Sequence, residues 1–397
     1  MRQLTDSQKQ RVRDLLAELV HIDSAVSSQA QARRDRTEER IAAFLTDHLV
    51  GMGMTVERQE VEPGRPNLMA HWPDQTGAAS LMLEAHMDTV TVEGMIIEPF
   101  RAQIRDGRMY GRGACDTKGG MAAFLTALAL AREEGRLPAD KLYFVATMSE
   151  ETGCHGAAAL MEHGFRTTAA IVGEPTRCEV VTCHKAPLWL EVQTRGRSCH
   201  ASMPECGRNA IEVMARVVDF VHGPWTAYLG RRTHALLGRS TAVVTQIDGG
   251  SKINIVPARC RARIDSRLVP DWPNTQVMAD FERMLTEHVG GSGHCEVAIV
   301  ESQPGLDTDA GVPLATKLLH LCEEVNGQDA PRGVNYFADT GPFSQAGITS
   351  VLFGPGDIAQ AHTADEYLDL EQLYQATEVT LTLLTEHAGR SIVSPND

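Results

Sequence analysis

The stretch Ser80-Leu-Met-Leu-Glu-Ala-His-Met-Asp-Thr89 decides the fold of this chain. An apolar run that ends in polar, metal-competent side chains predicts a buried strand whose carboxyl end opens into a site. Side chains at positions i and i+2 leave a strand on the same face, so His86 and Asp88 can contact the same ligand or each other. A single His-x-Asp is a weak signal, because a histidine in a core strand is more often simply hydrogen-bonded. Its interpretation depends on what the rest of the chain brings to the same edge.

Three further apolar runs are predicted to be buried strands, and each precedes acidic or imidazole side chains. They are Lys141–Met148 before Glu150 and Glu151, Ala169–Gly173 before Glu174, and Thr349–Phe353 before the loop that carries His362. Helical spacing separates the strands and predicts helices over Thr5–Val20, with a capping start at Thr5, and over Thr37–Gly51, Met121–Glu134, Leu314–Val325 and Leu370–His387. This alternation is typical of an α/β fold with a mixed, mostly parallel sheet flanked by helices.

A glycine-dense stretch, Asp106–Gly120, contains Asp116 and leads directly into the helix predicted from Met121. It has neither the G-x-G-x-x-G nor the Walker pattern, so the sequence does not favour a phosphate cradle. We interpret the glycines as permitting close backbone approach around Asp116.

The pattern changes at about His184, and 397 residues are too many for one hydrophobic core. The following segments are predicted as strands over Leu188–Arg195, Thr241–Asp248, Arg259–Leu268 and Cys295–Glu301, and as helices over Asn209–Val221 and Asn274–Val289. This order is typical of an inserted α+β domain. We therefore expect residues 1–183 and 303–397 to form a catalytic, metal-binding domain, and residues 184–302 to form a separate inserted domain.

Composition excludes several classes of partner. With 37 basic and 52 acidic residues the net charge is −15, so the surface repels nucleic acid and anionic membranes. The polar amino terminus has no apolar signal-peptide core, and no apolar run reaches membrane-spanning length. Nine cysteines without a C-x-x-C motif predict free, buried thiols in a reducing compartment. These features predict a cytoplasmic protein.

Seven strand-end side chains together predict a metal centre. Two imidazoles and several carboxylates are the ligand set of a binuclear zinc, cobalt or manganese site, and the seven residues are His86, Asp88, Asp116, Glu150, Glu151, Glu174 and His362. Any one of them alone is explained as a helix cap, a salt bridge or a surface charge. Because adjacent side chains at a strand end point in opposite directions, one of the pair Glu150 and Glu151 can bind a metal while the other faces water as a general base.

The ordered motifs of the chain resemble the co-catalytic metalloamidohydrolases that include acetylornithine deacetylase, succinyl-diaminopimelate desuccinylase and glutamate carboxypeptidase. The resemblance spans nearly the whole chain. Over residues 354–367 the chain is most similar to acetylornithine deacetylase. It implies a zinc-peptidase-like catalytic domain with an inserted lid and dimerisation domain. The motifs are His86-Met-Asp88, Gly113-Ala-Cys-Asp-Thr-Lys-Gly119, Ser149-Glu-Glu-Thr-Gly153, Gly173-Glu-Pro-Thr176, Cys199-His200 with Arg208-Asn-Ala-Ile-Glu212, and Phe353-Gly-Pro-Gly with Ala361-His-Thr-Ala-Asp-Glu-Tyr367.

The resemblance also implies a role for each matching ligand. His86 and Glu174 are expected to hold one divalent ion, Glu151 and His362 are expected to hold a second, and Asp116 is expected to bridge them. Zinc is the first expectation for both ions, with cobalt or manganese as alternatives.

The remaining roles implied by the resemblance concern catalysis and substrate binding. Asp88 is expected to orient the His86 imidazole without binding a metal. Glu150 is expected to act as general base on a metal-bridging hydroxide, and His200 to hydrogen-bond the tetrahedral oxyanion, in the family typically from the partner subunit of a homodimer. Asn254 and Arg267 match positions that bind the substrate carboxylate, a task that suits the planar guanidinium of arginine.

Two stretches depart from the family pattern. Relatives often have a small residue where Cys199 precedes His200, and they often place Thr before the acid where this chain has Asp339-Thr340. The packing of the lid loop and the contacts to the acyl group are therefore not given by the resemblance.

The function predicted from these residues is hydrolysis of the amide bond of a small N-acyl amino acid. Succinyl-diaminopimelate desuccinylase and dipeptidase or carboxypeptidase activities use the same machinery and are alternatives within the family. From other classes, a thiol amidohydrolase could use Cys115 or Cys199 with a nearby histidine, and a non-catalytic zinc-binding scaffold could keep the ligands alone. Retention of Glu150 beside the ligands argues against a scaffold.

Overall fold

The computed structural model describes residues 2–26, 38–291 and 293–394. The chain divides into two compact units. The first comprises Met1–Thr182, Thr308–Arg332 and Ala338–Asp397, and the second comprises Cys183–Asp307 and Gly333–Phe337. Thr37, where the second helix is predicted to begin, lies outside the described residues.

Helices occur where the apolar spacing predicts them. The first begins with a capping box, in which the Thr5 hydroxyl accepts the backbone N–H of Gln8 while the Gln8 side chain accepts the N–H of Thr5. Short helical turns lie at Pro204–Cys206, Val221–Trp225 and Ile358–Gln360. The α-helices are α1 Asp6–His21, α2 Glu39–Gly51, α3 Lys118–Glu133, α4 His155–Glu162, α5 Ala210–Phe220, α6 Thr226–Leu229, α7 Asn274–Val289, α8 Pro313–Asn326, α9 Thr340–Gln345 and α10 Leu370–Glu386.

The strands include all those predicted and several short ones that sequence periodicity did not indicate, among them β4, β5, β8 and β20. In chain order they are β1 Thr55–Glu62, β2 Arg65–His71, β3 Ser80–His86, β4 Gln103–Arg105, β5 Arg108–Tyr110, β6 Lys141–Thr147, β7 Ala169–Val172, β8 Val181–His184, β9 Ala186–Arg195, β10 Cys199–His200, β11 Thr233–His234, β12 Gly238–Arg239, β13 Thr241–Gly249, β14 Ile255–Val256, β15 Arg259–Leu268, β16 Cys295–Ser302, β17 Leu306–Asp307, β18 Arg332–Val334, β19 Thr349–Leu352 and β20 Tyr367–Asp369.

The first unit is built on a mixed sheet in which strands run in the order β1-β2-β6-β3-β7-β19, followed by the first two residues of β8, Val181 and Thr182. The four central strands, β6, β3, β7 and β19, are parallel to their neighbours within that group, whereas β1, β2 and β8 pair antiparallel at the flanks. This confirms the predicted α/β class with a mostly parallel sheet. Because parallel strands end at the same edge, the residues that follow β3, β6, β7 and β19 meet there.

Apolar side chains of the sheet and of α1, α3 and α10 form one continuous core in the first unit. Helix α3 is buried on nearly every side, which explains its run of alanine and leucine. Gly120 lets this helix approach β7, since a Cβ there would lie 2.2 Å from the carbonyl oxygen of Gly173. The predicted role of the glycines, close backbone approach next to Asp116, is confirmed at this contact.

The second unit is of α+β type, as the sequence predicts. Its antiparallel sheet has the order β13-β15-β9-β16, and helices α5 and α7 share an apolar core with β9 and β15. β15 and α7 have the same bounds as predicted, Arg259–Leu268 and Asn274–Val289. None of the helices within the described ranges has the length and apolar character that crossing a membrane requires.

All nine cysteines are free thiols. Six are buried, Cys199 and Cys295 are partly exposed, and Cys206 is exposed. The expectation that every cysteine is a small core residue is therefore wrong for Cys206, which lies in the short turn Pro204–Cys206.

His184 provides a test of stability against pH. It is fully buried in the second unit, and burial lowers its pKa from 6.5 to about 4. The unfolded chain binds a proton below pH 6.5 while the folded chain does not, so stability falls as pH decreases from about 6.5 to about 4, by about 3 kcal/mol in total. We expect the melting temperature to decrease less in His184→Gln than in the parent protein when the pH is lowered from 7.5 to 5. Calorimetry measures both melting temperatures.

The matched control for that experiment is His320→Gln, since the His320 side chain is exposed. This variant should show the parent pH dependence. Equal pH dependence in the parent and in His184→Gln would show that His184 is not the titrating group.

Candidate metal centre

The carboxyl ends of the parallel strands place the predicted ligands at one edge of the first unit's sheet. His86 is the last residue of β3, and Asp116 lies just before α3. Glu150 and Glu151 follow β6, Glu174 follows β7, and His362 lies in the loop after β19. All of these side chains are buried except His362, which is 53% exposed.

The Asp116 carboxylate lies between the two imidazoles. Its Oδ1 is 3.2 Å from Nε2 of His86, and its Oδ2 is 3.4 Å from Nε2 of His362. Each imidazole also has a glutamate of its own: Glu151 Oε2 lies 2.9 Å from His362 Nε2, and Glu174 Oε1 lies 3.8 Å from His86 Nε2. The arrangement therefore has two sides that share one carboxylate.

Glu150 lies on the His86 side, with its Oε2 atom 4.0 Å from Nε2 of His86. The ligand atoms of His86, Glu150 and Glu174 lie within 4.8 Å of one another, as do those of His86, Asp116 and Glu151. At these distances Glu150 can reach either a metal ion or a water beside it. The distances alone are compatible with both roles.

Two buried carboxylate oxygen atoms at this centre have unsatisfied hydrogen-bonding capacity. Among the residues that the structure describes, Oε1 of Glu151 and Oε1 of Glu174 have no hydrogen-bond partner. A buried carboxylate oxygen without a partner is costly unless a charge compensates it. Imidazole and carboxylate donors suit zinc, cobalt and manganese. The residues therefore fit divalent metal ions.

The three glutamates of the centre have raised pKa values. Burial raises the pKa of Glu150 well above its usual range, and the neighbouring Glu174 adds to the rise. Burial likewise raises the pKa of Glu174, assisted by Asp116, and raises that of Glu151 to about 7. Each of these shifts reflects negative charge packed into a site with little water, which bound cations would relieve.

The imidazoles show the opposite effect. Hydrogen bonds to Asp116 and Glu151 raise the pKa of His362 to about 10. Burial alone would lower the pKa of His86, but its bonds to Asp116 and Asp88 outweigh burial and raise it. Burial would raise the pKa of Asp116, yet its bonds to the two histidines hold it below the usual range. The neighbouring acids therefore favour the protonated form of both imidazoles.

Asp88 contacts the centre in two ways. Its backbone carbonyl oxygen lies 2.9 Å from Nδ1 of His86, and its Oδ1 lies 3.5 Å from the same atom. Its carboxylate accepts the backbone N–H groups of Glu150 and Glu151, at 3.1 and 3.3 Å. Asp88 therefore orients the imidazole mainly through its main chain, while its carboxylate fixes the turn that carries both glutamates.

Local backbone geometry at the centre departs from regular structure. β6 ends at Thr147, so Glu150 and Glu151 stand in a turn after the strand and not on it. Ser149 and His362 both adopt left-handed φ values, 61° and 62°, which non-glycine residues rarely adopt. Such conformations cluster at functional sites, where the surrounding contacts hold them.

Three other predicted residues, His200, Asn254 and Arg267, lie in the second unit. The exposed Asn254 lies beside the strand of His200, because its backbone carbonyl accepts the N–H of Ala201 and the next residue pairs with His200. Arg267 lies on β15, where its guanidinium makes two bonds to Asp265, at 2.8 and 3.0 Å.

Comparison with known proteins decides the family. The model of Peptidase family M20/M25/M40 matches residues 82–386, well over half of the chain. The chain belongs to this family. Its members are metal-dependent hydrolases, and this M20 chain is accordingly a metal-dependent hydrolase acting on linear amides. Two groups of its side chains, His86 with Asp116 and Glu151, and His86 with Glu150 and Glu174, could each hold a metal ion.

Similar proteins cover almost the whole M20 chain. An acetylornithine deacetylase from Myxococcus xanthus is 31% identical over 388 residues, covering 95% of this chain and 98% of that protein. A probable succinyl-diaminopimelate desuccinylase from Staphylococcus epidermidis is 26% identical, covering 91% and 94%. The crystal structure of aminopeptidase PepT from Bacillus cereus superposes with a TM-score of 0.78 at 23% identity, covering 96% of this chain and 99% of that one, which shows a shared fold.

Sequence reasoning missed a buried acid pair beside the M20 centre. Thr147, the register neighbour of His86 on β6, has its hydroxyl 2.7 Å from Glu84 Oε1 and 2.6 Å from Asp339 Oδ2. One hydroxyl carries one proton, so at least one of the two acids must be protonated and donate to Thr147. Burial raises the pKa of Glu84 well above its usual range, and Asp339 adds to the rise.

The sequence contained part of the signal for this pair. The order Asp339-Thr340 departs from the family pattern and so draws attention to Asp339. It does not show that Asp339 is buried against Thr147. Lys118, in the motif with Asp116, was also left without a role. It is buried, its Nζ donates to the carbonyl oxygen of Ile22 at 2.7 Å, and burial lowers its pKa to about 7.

Proposed function

We propose that this chain hydrolyses the amide bond of a small N-acyl amino acid to a carboxylate and a free amine, in the manner of acetylornithine deacetylase. The observation that carries the proposal is the buried group in which Asp116 lies between His86 and His362, with three glutamates around them. The 31% identity to an acetylornithine deacetylase over nearly the whole chain supports the choice of acyl amino acid.

The proposed cofactor is a pair of divalent ions, zinc first, with cobalt or manganese as alternatives. His86 and Glu174 would hold one ion, and His362 and Glu151 would hold the other. Asp116 would bind both ions. When bound, the ions supply positive charge that polarises the amide carbonyl and lowers the pKa of the attacking water.

Glu150 is the proposed general base. Its carboxylate lies beside the proposed ligands, 4.0 Å from the His86 imidazole, and its backbone N–H donates to Asp88. A carboxyl whose pKa is raised by burial can accept a proton from water and return it to the leaving amine near neutral pH.

His200 is the proposed donor to the oxyanion. The backbone N–H of Ser202 donates to Nδ1 of His200 at 3.2 Å, and the Ser202 hydroxyl, 2.7 Å from the same atom, can donate to it as well, which favours Nδ1 as the acceptor. In the neutral imidazole the proton then sits on Nε2, which can donate to a developing negative charge. One such donor contributes about 2.7–4 kcal/mol to lowering the barrier.

Arg267 and Asn254 are the proposed partners of the substrate carboxylate. The Arg267 guanidinium is held by Asp265 and lies over the rings of Trp189 and Phe337, 5.8 and 5.3 Å from their centres. A guanidinium fixed in this way loses little freedom when it binds a carboxylate.

The proposed assembly is a homodimer joined through the second unit, which would serve as the lid and dimerisation domain. β13 is an edge strand of that unit's sheet, and it exposes 48% of Val243 and 58% of Ile247. Apolar side chains on an edge strand favour pairing with a second chain.

Mixing two inactive variants tests whether His200 acts across this dimer. If His200 serves the partner's site, co-expressed Glu150→Gln and His200→Ala chains form hybrids with one complete site, and about a quarter of parental activity returns. Each pure variant should stay inactive. Absence of recovery in hybrids isolated with two different affinity tags would place His200 in the same chain as the site that it serves.

A panel of substrates tests the acyl group and the amino acid. Purified protein with added zinc or cobalt should hydrolyse N-acetyl amino acids, N-acetylornithine among them, with higher kcat/KM than N-succinyl amino acids or dipeptides. A higher value for N-succinyl-diaminopimelate would favour the desuccinylase alternative, which the Staphylococcus relative also supports. Preference for dipeptides would favour the peptidase alternative.

The thiol alternative has little structural support. Burial raises the pKa of Cys115 well above its usual range, so the thiolate required for attack does not form near neutral pH. Its Sγ donates to the carbonyl oxygen of Asp357 at 3.4 Å. Cys199 is partly exposed, and its Sγ donates to the carbonyl oxygen of Met203 at 3.3 Å.

A further inference from the structure

Glu366 is a buried acid four residues after His362, and it has no role in the function proposed above. Its carboxylate is 1% exposed, and all of its hydrogen bonds go to a single loop, residues 112–116, which ends in Asp116. The two segments are about 250 residues apart in sequence, so the contact is a property of the fold alone.

Each oxygen of Glu366 accepts two donors. Oε1 accepts the backbone N–H groups of Cys115 at 2.9 Å and of Asp116 at 3.1 Å. Oε2 accepts Nη1 of Arg112 at 2.6 Å and the backbone N–H of Gly113 at 3.1 Å. A buried carboxylate that accepts four donors, one of them a guanidinium, is fixed in position, because any movement would break several hydrogen bonds that no water can replace.

Arg112 extends the contact back toward the second histidine. Its Nη2 atom donates to the carbonyl oxygen of Thr363, the residue after His362, at 3.3 Å. The backbone N–H of Gly111 also donates to the carbonyl oxygen of Glu366 at 3.0 Å. The pair therefore connects the loop that carries Asp116 to the loop that carries His362.

We propose that Glu366 and Arg112 form a clamp that positions Asp116 and His362 relative to each other, so that both can bind the same metal ion. This proposal rests on the ligand assignment made above. Within the described part of the chain, Asp116 is the carboxylate that both imidazoles contact, so its two oxygen atoms must be placed correctly for both proposed ions. A clamp that holds its backbone N–H and the neighbouring loop removes the freedom that would otherwise weaken metal binding.

Zinc affinity of the Glu366→Gln variant tests the clamp without reference to activity. A glutamine amide cannot accept all four donors, because its NH2 group would face either the Arg112 guanidinium or the two backbone N–H groups. We expect zinc to bind at least one of the two sites about 10–100-fold more weakly, as for other groups that orient metal ligands. The measurement is competition with a chromophoric chelator, with bound zinc counted by elemental analysis.

Glu378→Gln is the matched control. Glu378 is also a buried glutamate, 7% exposed, and accepts a backbone N–H, that of Leu4, at 2.7 Å, but it lies on α10 away from the ligands. A general loss of stability should lower the melting temperature of both variants. Only Glu366→Gln should weaken zinc binding, and equal zinc affinity in the two variants would overturn the clamp.

A second variant, Arg112→Lys, tests the clamp if Glu366→Gln does not fold. Lysine keeps the positive charge beside Glu366 but cannot reach Oε2 and the Thr363 carbonyl as a fork. We expect weaker zinc binding in this variant too, and parental affinity would overturn the clamp. A parent protein that binds no zinc would instead contradict the proposed function, so the two failures are distinguishable.

Discussion

Replacing Glu150 with glutamine is expected to abolish turnover while the protein keeps two metal ions per chain. Glutamine has nearly the shape of glutamate but cannot take a proton from water, so kcat should fall by about 10²–10⁴-fold. The backbone contact from Glu150 to Asp88 does not involve the side chain, so the turn should stay in place. Steady-state kinetics and elemental analysis of the same preparation check both parts.

The matched control is Glu151→Gln, next in the chain. Oε2 of Glu151 lies 2.9 Å from the His362 imidazole, and we assign it as a ligand, so this variant should lose metal as well as activity. Loss of one ion from Glu150→Gln would show that Glu150 binds metal together with His86 and Glu174, a group that its position allows. An unchanged rate would refute the assigned base.

Removal of the metal ions is the second change with a large expected effect. Dialysis against EDTA should reduce activity to background, and zinc or cobalt should restore it. Among the residues that the structure describes, the cationic groups that contact the acids of the centre are the imidazoles of His86 and His362, which we assign as ligands. The positive charge that polarises the carbonyl would therefore have to come from the metal ions. The measurement is the rate on an N-acetyl amino acid before chelation, after chelation and after addition of metal.

The thiol alternative predicts the opposite result in the same assay. A thiol enzyme keeps its activity in EDTA and loses it on alkylation. The variants Cys115→Ser and Cys199→Ser separate the classes further, since a metal enzyme should keep most of its activity in both. Activity that survives complete removal of metal would falsify the metal mechanism.

Much of the fold could be predicted because the relevant signals are local. Strand periodicity and helical spacing predict β15 and α7 with the bounds that the structure has, and the Thr5 cap begins α1 as expected. The short strands β4, β5 and β20 could not be predicted in this way. Three residues carry too little periodicity, and these strands exist because they pair with one another.

The metal centre, like the fold, could be predicted only in part from the sequence. Motif order gave the set of candidate ligands, because residues after parallel strands meet at one sheet edge. It did not give the contacts between them. The sequence predicts that Asp88 orients His86. The structure adds that the Asp88 backbone carbonyl oxygen lies 2.9 Å from Nδ1 of His86, and that its carboxylate accepts two backbone N–H groups of the Glu150 turn.

The sequence by itself determined the order of strands and helices, the family, and which side chains stand at strand ends, because periodicity and motif spacing are written along the chain. Only the tertiary structure decided that Asp116 lies between two imidazoles, that Glu366 holds the loop leading to Asp116, and that Thr147 bridges two buried acids. Those contacts join residues that are far apart in sequence. Their energies depend on distance and burial, which exist only once the chain has folded.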